Sequence, residues 1–139
     1  MASDKFDSKK APEPVGAYPH ARKVGNLLFL SGVGPRARGT KKIPGVELDE
    51  KGNILSYDIE KQCISVFNNV KTIVEEAGAK WENVVDVTVF LTNMKADFKT
   101  YNRLYADFFK DNQPCRTTIE ISSLPTPIAI ELKVIASLD

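Results

Sequence analysis

The sequence predicts an α+β domain, a mixed β-sheet with two helices on one face, and three observations carry that prediction. Two segments repeat apolar residues at three- and four-residue spacing. Five shorter segments are rich in apolar, β-branched or aromatic residues. The order along the chain is strand, strand, helix, strand, helix, strand, strand.

The first ten residues, polar and lysine-rich, read as a flexible tail ahead of a single domain over residues 11–139. A short strand from Ala21 to Val24, the turn pair Gly25-Asn26 and the buried strand Leu27 to Ser31 form a hairpin. Gly32 to Gly52, rich in Gly, Pro, Lys and Arg, is a long exposed excursion of the kind used for binding or interfaces. From Asp58 to Ala77, Ile59, Cys63, Val66, Phe67, Val70, Ile73, Val74 and Ala77 share one helical face, and Gly78 is the stop signal. Val84 to Thr92 alternates as a strand, with Val85, Val87, Val89 and Leu91 on one side and Asp86, Thr88 and Phe90 on the other. The second helix runs from about Ala96 to Lys110, with Asn93 as cap and Phe98, Tyr101, Tyr105, Phe108 and Phe109 on a broad apolar side. Arg116 to Ser122 and Ala129 to Ala136 are the last strands. A sheet covered by helices on one side only leaves an apolar face that needs a partner, so oligomerisation is expected.

A chain of 139 residues fits one domain and buries roughly two thirds of the surface its unfolded form exposes. Nineteen Lys and Arg against eighteen Asp and Glu leave a formal charge of +1, and no basic run interleaves with aromatics. That balance argues against nucleic acid or an anionic membrane as partner. Cys63 and Cys115 have neither a CxxC nor a zinc-ligand spacing, which reads as reduced thiols in a cytoplasmic compartment. No apolar run approaches the ~20 residues of a membrane helix, and a soluble, unprocessed protein is expected.

The chemistry centres on one arginine and one glutamate set in strand-like sequence, Arg116 and Glu131, because charges in strands cost free energy unless paired, solvated or functional. Alternation groups Arg116 with Thr118 and Glu120, and Glu131 with Lys133 and Ile135. If the two strands are neighbours the pair is a salt bridge; an intervening strand would separate them by roughly 10 Å and leave room for a small molecule. An arginine fork suits a carboxylate, and a carboxylate in a partly dry pocket can exchange protons near neutrality. Other features point less sharply. His20, the single histidine, reads as a surface loop residue and rules out a site of several histidines. Gly32-Val33-Gly34 lacks the pattern of a phosphate loop. Asn102 and Tyr105 share a side of their helix, where Tyr105 reads as core packing. Cys115 has no evident base beside it.

The residues Ala11-Pro12, Gly16-Ala17-Tyr18, Ser31-Gly32, Gln62, Asn68-Asn69-Val70, Ala77-Gly78, Val87 to Phe90, Phe98, Asn102, Tyr105, Phe108-Phe109, Pro114-Cys115-Arg116, Leu124-Pro125 and Ile130-Glu131 through Ile135-Ala136 together resemble the Rid (YjgF-like) imine deaminase family over nearly the whole chain. Gly32 to Arg36, Ile43 to Val46 and Leu124 to Ala136 are similar to the 2-aminomuconate deaminases within it. The resemblance implies a chorismate-mutase-like fold, a homotrimer with active sites between subunits, no cofactor, and the Val84 to Thr92 strand lying between the last two.

By the same resemblance, Arg116 matches the arginine that clamps the substrate carboxylate and Glu131 the acidic residue that positions and activates water. Tyr18, Ser31, Asn102 and Tyr105 match pocket positions, with backbone near Thr118 in contact with substrate. The chain departs from the pattern at Ala17, Val33, Thr118 and Lys133, where relatives often carry proline, glutamine, cysteine and a second glutamate. A muconate skeleton has a second carboxylate, for which Arg36 and Arg38 on the long loop are the candidates, with His20 and Lys133 behind them. The implied reaction is hydrolytic deamination of 2-aminomuconate to a 2-oxo dicarboxylic acid, 4-oxalocrotonate, and ammonia. The alternatives are a general 2-imino acid deaminase, and, in another class, a ligand-binding regulatory trimer or an RNA-cleaving translation inhibitor.

Overall fold

A computed structural model describes residues 4–139. In chain order the elements are β1 (Asp4–Phe6), β2 (Ala21–Val24), β3 (Leu27–Leu30), β4 (Val46–Leu48), β5 (Ile54–Tyr57), α1 (Ile59–Glu76), β6 (Val84–Leu91), α2 (Met94–Phe109), β7 (Cys115–Glu120) and β8 (Ile130–Ser137). Six strands make one mixed sheet in the order β1-β2-β3-β8-β6-β7, and β4 and β5 form a separate hairpin. The chain is therefore the expected α+β domain, with β6 between the last two strands, parallel to β7 and antiparallel to β8.

Local chemistry sets the helix ends. The Asp58 carboxylate accepts from the Lys61 amide at 3.2 Å and caps α1, and Gly78, at φ 98°, takes the left-handed turn that closes it. Asn93 caps α2 through the Ala96 amide, while Glu120 of β7 accepts from the Met94 amide and ties that helix start to the sheet edge. Both helices bury their apolar stripes on one sheet face. Cys63, Val66, Phe67, Val70 and Val74 of α1 meet Leu28, Leu30, Val87, Val89, Leu132 and Val134 in one core, with Tyr101 and Phe109 from α2. The opposite face carries Phe29, Phe90 and Ile135, half-buried, and Val24, Leu27 and Ile119, exposed.

Three readings change. The expected loose tail over residues 1–10 gives way, from Asp4, to strand β1 paired with β2, followed by a buried Ser8; residues 1–3 lie outside the described residues. Backbone pairing and one buried hydroxyl order this segment, and neither shows in its polar composition. The Gly32 to Gly52 excursion is partly structured, since β4 pairs with β5, and Tyr57 at the end of β5 donates to Asp97 of α2 at 2.6 Å. Val85 leaves the alternation, because a register shift between Val84 and Asp86 turns it outward and leaves it exposed. Among the described residues no helix is long and apolar enough to cross a membrane.

Candidate active site

Strand register decides where the two charged residues point. Arg116 pairs with Val87 and Glu131 with Phe90, and these two β6 positions are three apart, so they project to opposite faces. Within one chain the arginine lies on the helix side and the glutamate on the helix-free side. The intervening strand excludes a direct ion pair, and the expected single cavity shared by both groups does not form inside one chain.

Arg116 lies over two tyrosine faces, with its guanidinium carbon 5.3 Å from the Tyr101 ring centre and 4.7 Å from that of Tyr105. Its Nη1 donates to Asn102 Oδ1 at 2.8 Å. Thr118, two residues on and on the same face, shares a 2.7 Å hydrogen bond with the Tyr101 hydroxyl. Tyr105 stacks on Phe109 and is only 7 % exposed, as core packing requires, yet its hydroxyl is buried without a hydrogen-bond partner. Burial pushes that hydroxyl's pKa above the usual tyrosine value. A cleft of about 350 Å³ opens here between Asn102, Tyr105, Gln113 and Arg116. The guanidinium is thus stiffened by aromatic faces and one amide, with its remaining donors available to a carboxylate.

Glu131 lines a second, narrower cavity of about 80 Å³, with Tyr18, Ser31, Gly32, Arg36 and Thr126. Its carboxylate has no hydrogen-bond or ion-pair partner among the described residues, and burial alone raises its pKa. Gly32 makes room for it, since a Cβ there would lie 2.8 Å from Glu131 Oε2. Ser31 donates to the Pro19 carbonyl at 2.7 Å, and the Tyr18 hydroxyl accepts from the Val15 amide at 3.2 Å. A half-buried, unpaired carboxylate in a cleft, its pKa raised, is placed to accept a proton from a water molecule.

The four cations considered for a second carboxylate separate clearly. The Lys133 ammonium donates to the Leu30 carbonyl, and burial lowers its pKa. His20 is buried and uses both ring nitrogens on backbone, so the surface-loop reading is corrected: the chain ahead of it folds back over the ring. Arg38 donates to the Ser8 and Ala11 carbonyls and pairs with Glu13 at 3.3 Å. Arg36 alone of the three arginine and lysine candidates faces the Glu131 cavity, its side chain 19 % exposed, but it donates to the Glu13 carbonyl and lies 3.9 Å from the Glu13 carboxylate.

Two residues quoted above only for the resemblance, Asn69 and Gln62, prove to be positioning residues. Asn69 donates to the Gly34 and Arg36 carbonyls, both at 2.9 Å, and so anchors the loop that carries Arg36. Gln62, fully buried, accepts from the Ala129 amide at 2.8 Å and fixes the start of β8. Beyond the resemblance, their signal is an amide on or beside the apolar stripe of α1. Among the described residues no group of three or more His, Cys, Asp or Glu is placed to hold a metal ion.

The family model described as endoribonuclease L-PSP matches residues 8–138. The chain belongs to this family, the Rid (YjgF-like) proteins. It is 39% identical over 137 residues to a RutC family protein of Pyrococcus abyssi, covering 98% of each chain. It is 32% identical to a 2-iminobutanoate/2-iminopropanoate deaminase of Dermatophagoides farinae, over 93% of this chain and 91% of that one. The crystal structure of TdcF from E. coli with bound serine matches this Rid-family fold with a TM-score of 0.82 at 28% identity, over 96% of this chain and 98% of that one.

Proposed function

We propose that this protein is an imine and enamine deaminase whose active site is completed between subunits of a homotrimer. One subunit supplies Arg116 with Asn102, Tyr105 and the Thr118 backbone; the next supplies Glu131 with Tyr18, Ser31 and Arg36. The observation that carries the reading is the pairing of opposites across the sheet: a guanidinium with free donors on one face, an unpaired, half-buried carboxylate on the other. Neither half can do chemistry on a small imino acid alone. The exposed apolar side chains of the helix-free face support the association that would bring the halves together.

In this mechanism the enamine takes a proton on carbon and becomes the imine. Arg116 holds the C1 carboxylate and stabilises charge beside the reacting carbon. Glu131 accepts a proton from the attacking water as oxygen bonds to C2, then returns it to the nitrogen. As the carbinolamine collapses, its hydroxyl proton passes by way of Glu131 to the nitrogen, the C–N bond breaks, and a 2-oxo acid and ammonia leave. Imine hydrolysis is intrinsically easy, so positioning and one acid/base group suffice.

The substrate we propose first is 2-aminomuconate, giving 4-oxalocrotonate and ammonia, on the strength of the Leu124 to Ala136 and Gly32 to Arg36 stretches and of Arg36 in the Glu131 cavity. One observation favours a second reading, a monocarboxylic 2-imino acid: the Glu13 carboxylate already lies against both Arg36 and Arg38. The similarity to the mite deaminase points the same way. The formal charge of +1 and lack of a basic stripe do not favour RNA cleavage. Side-by-side ammonia release from 2-aminomuconate and freshly generated 2-iminobutanoate tests the proposal. Faster turnover of the dicarboxylate that falls selectively in Arg36→Ala supports the first substrate; the reverse preference supports the second; no ammonia from either ends the deaminase reading.

A further inference from the structure

The single histidine is buried, with both ring nitrogens on backbone groups. His20 is 8 % exposed, Ser8 4 % and Ala11 0 %, so a polar cluster is buried at the N-terminal side of the Glu131 cavity. The Ser8 amide donates to His20 Nδ1 at 2.9 Å, and His20 Nε2 contacts the Pro12 carbonyl at 2.7 Å. A carbonyl can only accept, so Nε2 carries the proton and Nδ1 the lone pair; one tautomer satisfies both bonds. The ring therefore clasps both ends of the turn Ser8 to Pro12. Around it the Ser8 hydroxyl accepts from the Ala11 amide at 2.9 Å and donates to Glu76, while Arg38 donates to the Ser8 and Ala11 carbonyls. The His20 carbonyl in turn accepts from the Ser31 amide at 3.0 Å.

That turn leads directly into a strap, residues 12–18, from which Pro12, Glu13, Pro14, Val15 and Tyr18 form one wall of the Glu131 cavity. We infer that His20 is a positioning residue that seats this strap over Glu131, and that protonation of its ring releases the strap. A second proton on the ring would put N–H against the Ser8 N–H, two donors face to face in a buried place. The charged and titratable groups around the ring are Glu76 of α1, Arg36 and Arg38 of the loop after β3, Glu13 and Tyr18 of the strap, and Glu131 of β8. Of these, Glu76 already takes the Ser8 hydroxyl, and Arg36 and Arg38 bring only donors. The inference rests on the proposed site only for its effect on ligand, since the clasp itself stands on the hydrogen bonds.

Because the chain has one histidine, nitrogen-15 spectra of the imidazole report on His20 without ambiguity. The expected result is the Nε2–H tautomer at neutral pH. Hydrogen exchange of residues 8–18, corrected for intrinsic pH effects, should then rise about tenfold as the ring titrates, while the centre of α1 stays protected. His20→Asn, whose amide oxygen can accept from Ser8 but does not titrate, should remove that pH dependence. Binding of 2-oxobutanoate supplies a second readout with a sign of its own. Loss of the strap weakens binding as pH falls in the wild type, whereas protonation of Glu131 alone would strengthen binding of an anion. His20→Asn should lose the weakening. The Nδ1–H tautomer, an imidazole that does not titrate before the fold is lost, or titration with no change in strap exchange would each overturn the inference. Failure of 2-oxobutanoate to bind at any pH counts against the deaminase reading instead, and the exchange result still decides the clasp.

Discussion

Arg116→Ala and Glu131→Gln should each inactivate the protein, and mixing the two inactive subunits should restore activity. The parity of β6 requires this: partners of Val87 and Phe90 must lie on opposite faces, so one chain cannot bring both groups to one substrate. Removing Arg116 leaves an anionic substrate without its partner, a loss on the order of 3–5 kcal/mol, and removing the carboxylate base costs roughly 10²–10⁴ in rate. In a cyclic assembly formed at random from equal amounts of both variants, a site works when its arginine half comes from a Glu131→Gln subunit and its glutamate half from an Arg116→Ala subunit. Each choice has even odds, so roughly a quarter of sites regain both native groups. The assay is ammonia release after joint denaturation and refolding, or co-expression with two purification tags, against each variant treated alone. Recovery to about a quarter of wild-type activity, well above the sum of the two variants, is expected. A mixture no more active than its parts, with mixed assemblies verified by mass, would refute the shared site.

Gly32→Ala places a Cβ 2.8 Å from the Glu131 carboxylate oxygen, so the flexible carboxylate must move; turnover should fall by about 10²-fold while the melting temperature changes little, and unchanged turnover would show that Glu131 needs no fixed seat. Burial raises the Glu131 pKa, so folding favours its protonated form; that contribution is complete below the ordinary carboxylate pKa and is lost as pH rises through the folded value. Glu131→Gln should therefore melt above the wild type at neutral pH and lose the advantage in acid, and an advantage independent of pH would point to a packing effect. Asp97 is 4 % exposed and accepts from Tyr57 at 2.6 Å, so Tyr57→Phe should cost about 1–3 kcal/mol in urea unfolding by stranding the carboxylate; a smaller loss would mean that water replaces the phenol.

Much of the fold was legible because its signals are local. The α1 stripe of Cys63, Val66, Phe67, Val70 and Val74 is fully buried, and Gly78 and Asn93 end and cap the helices as their chemistry suggests. β1, β4 and β5 were illegible for a shared reason. Each is a short segment of three or four residues held by its neighbours in space, with Asp4–Phe6 depending on Ala21–Lys23 and the β4–β5 hairpin on the contact from Tyr57 to Asp97. His20 was misread for the same reason: its partners Ser8 and Pro12 reach it through the fold of the chain ahead, which composition does not reveal.

The site divides along the same line, and β7 explains why. On β8 the sequence alternates cleanly, Ile130, Leu132, Val134 and Ala136 buried against the helices, so the outward direction of Glu131 follows from pattern alone. On β7 the pattern is inverted: Arg116, Thr118 and Glu120 face the helices, where Tyr101, Asn102 and the Met94 amide receive them, while Cys115, Thr117 and Ile119 face away. A strand that turns its polar residues toward the core side and its apolar ones outward conflicts with burial in a lone subunit, and such conflicts mark function. Here the polar side forms the arginine cleft, and the apolar Ile119 joins Leu27 and Val24 as exposed side chains on the helix-free face. The inversion thus ties together the two requirements of the proposed chemistry, a carboxylate clamp at the sheet edge and a partner to bring Glu131 to it.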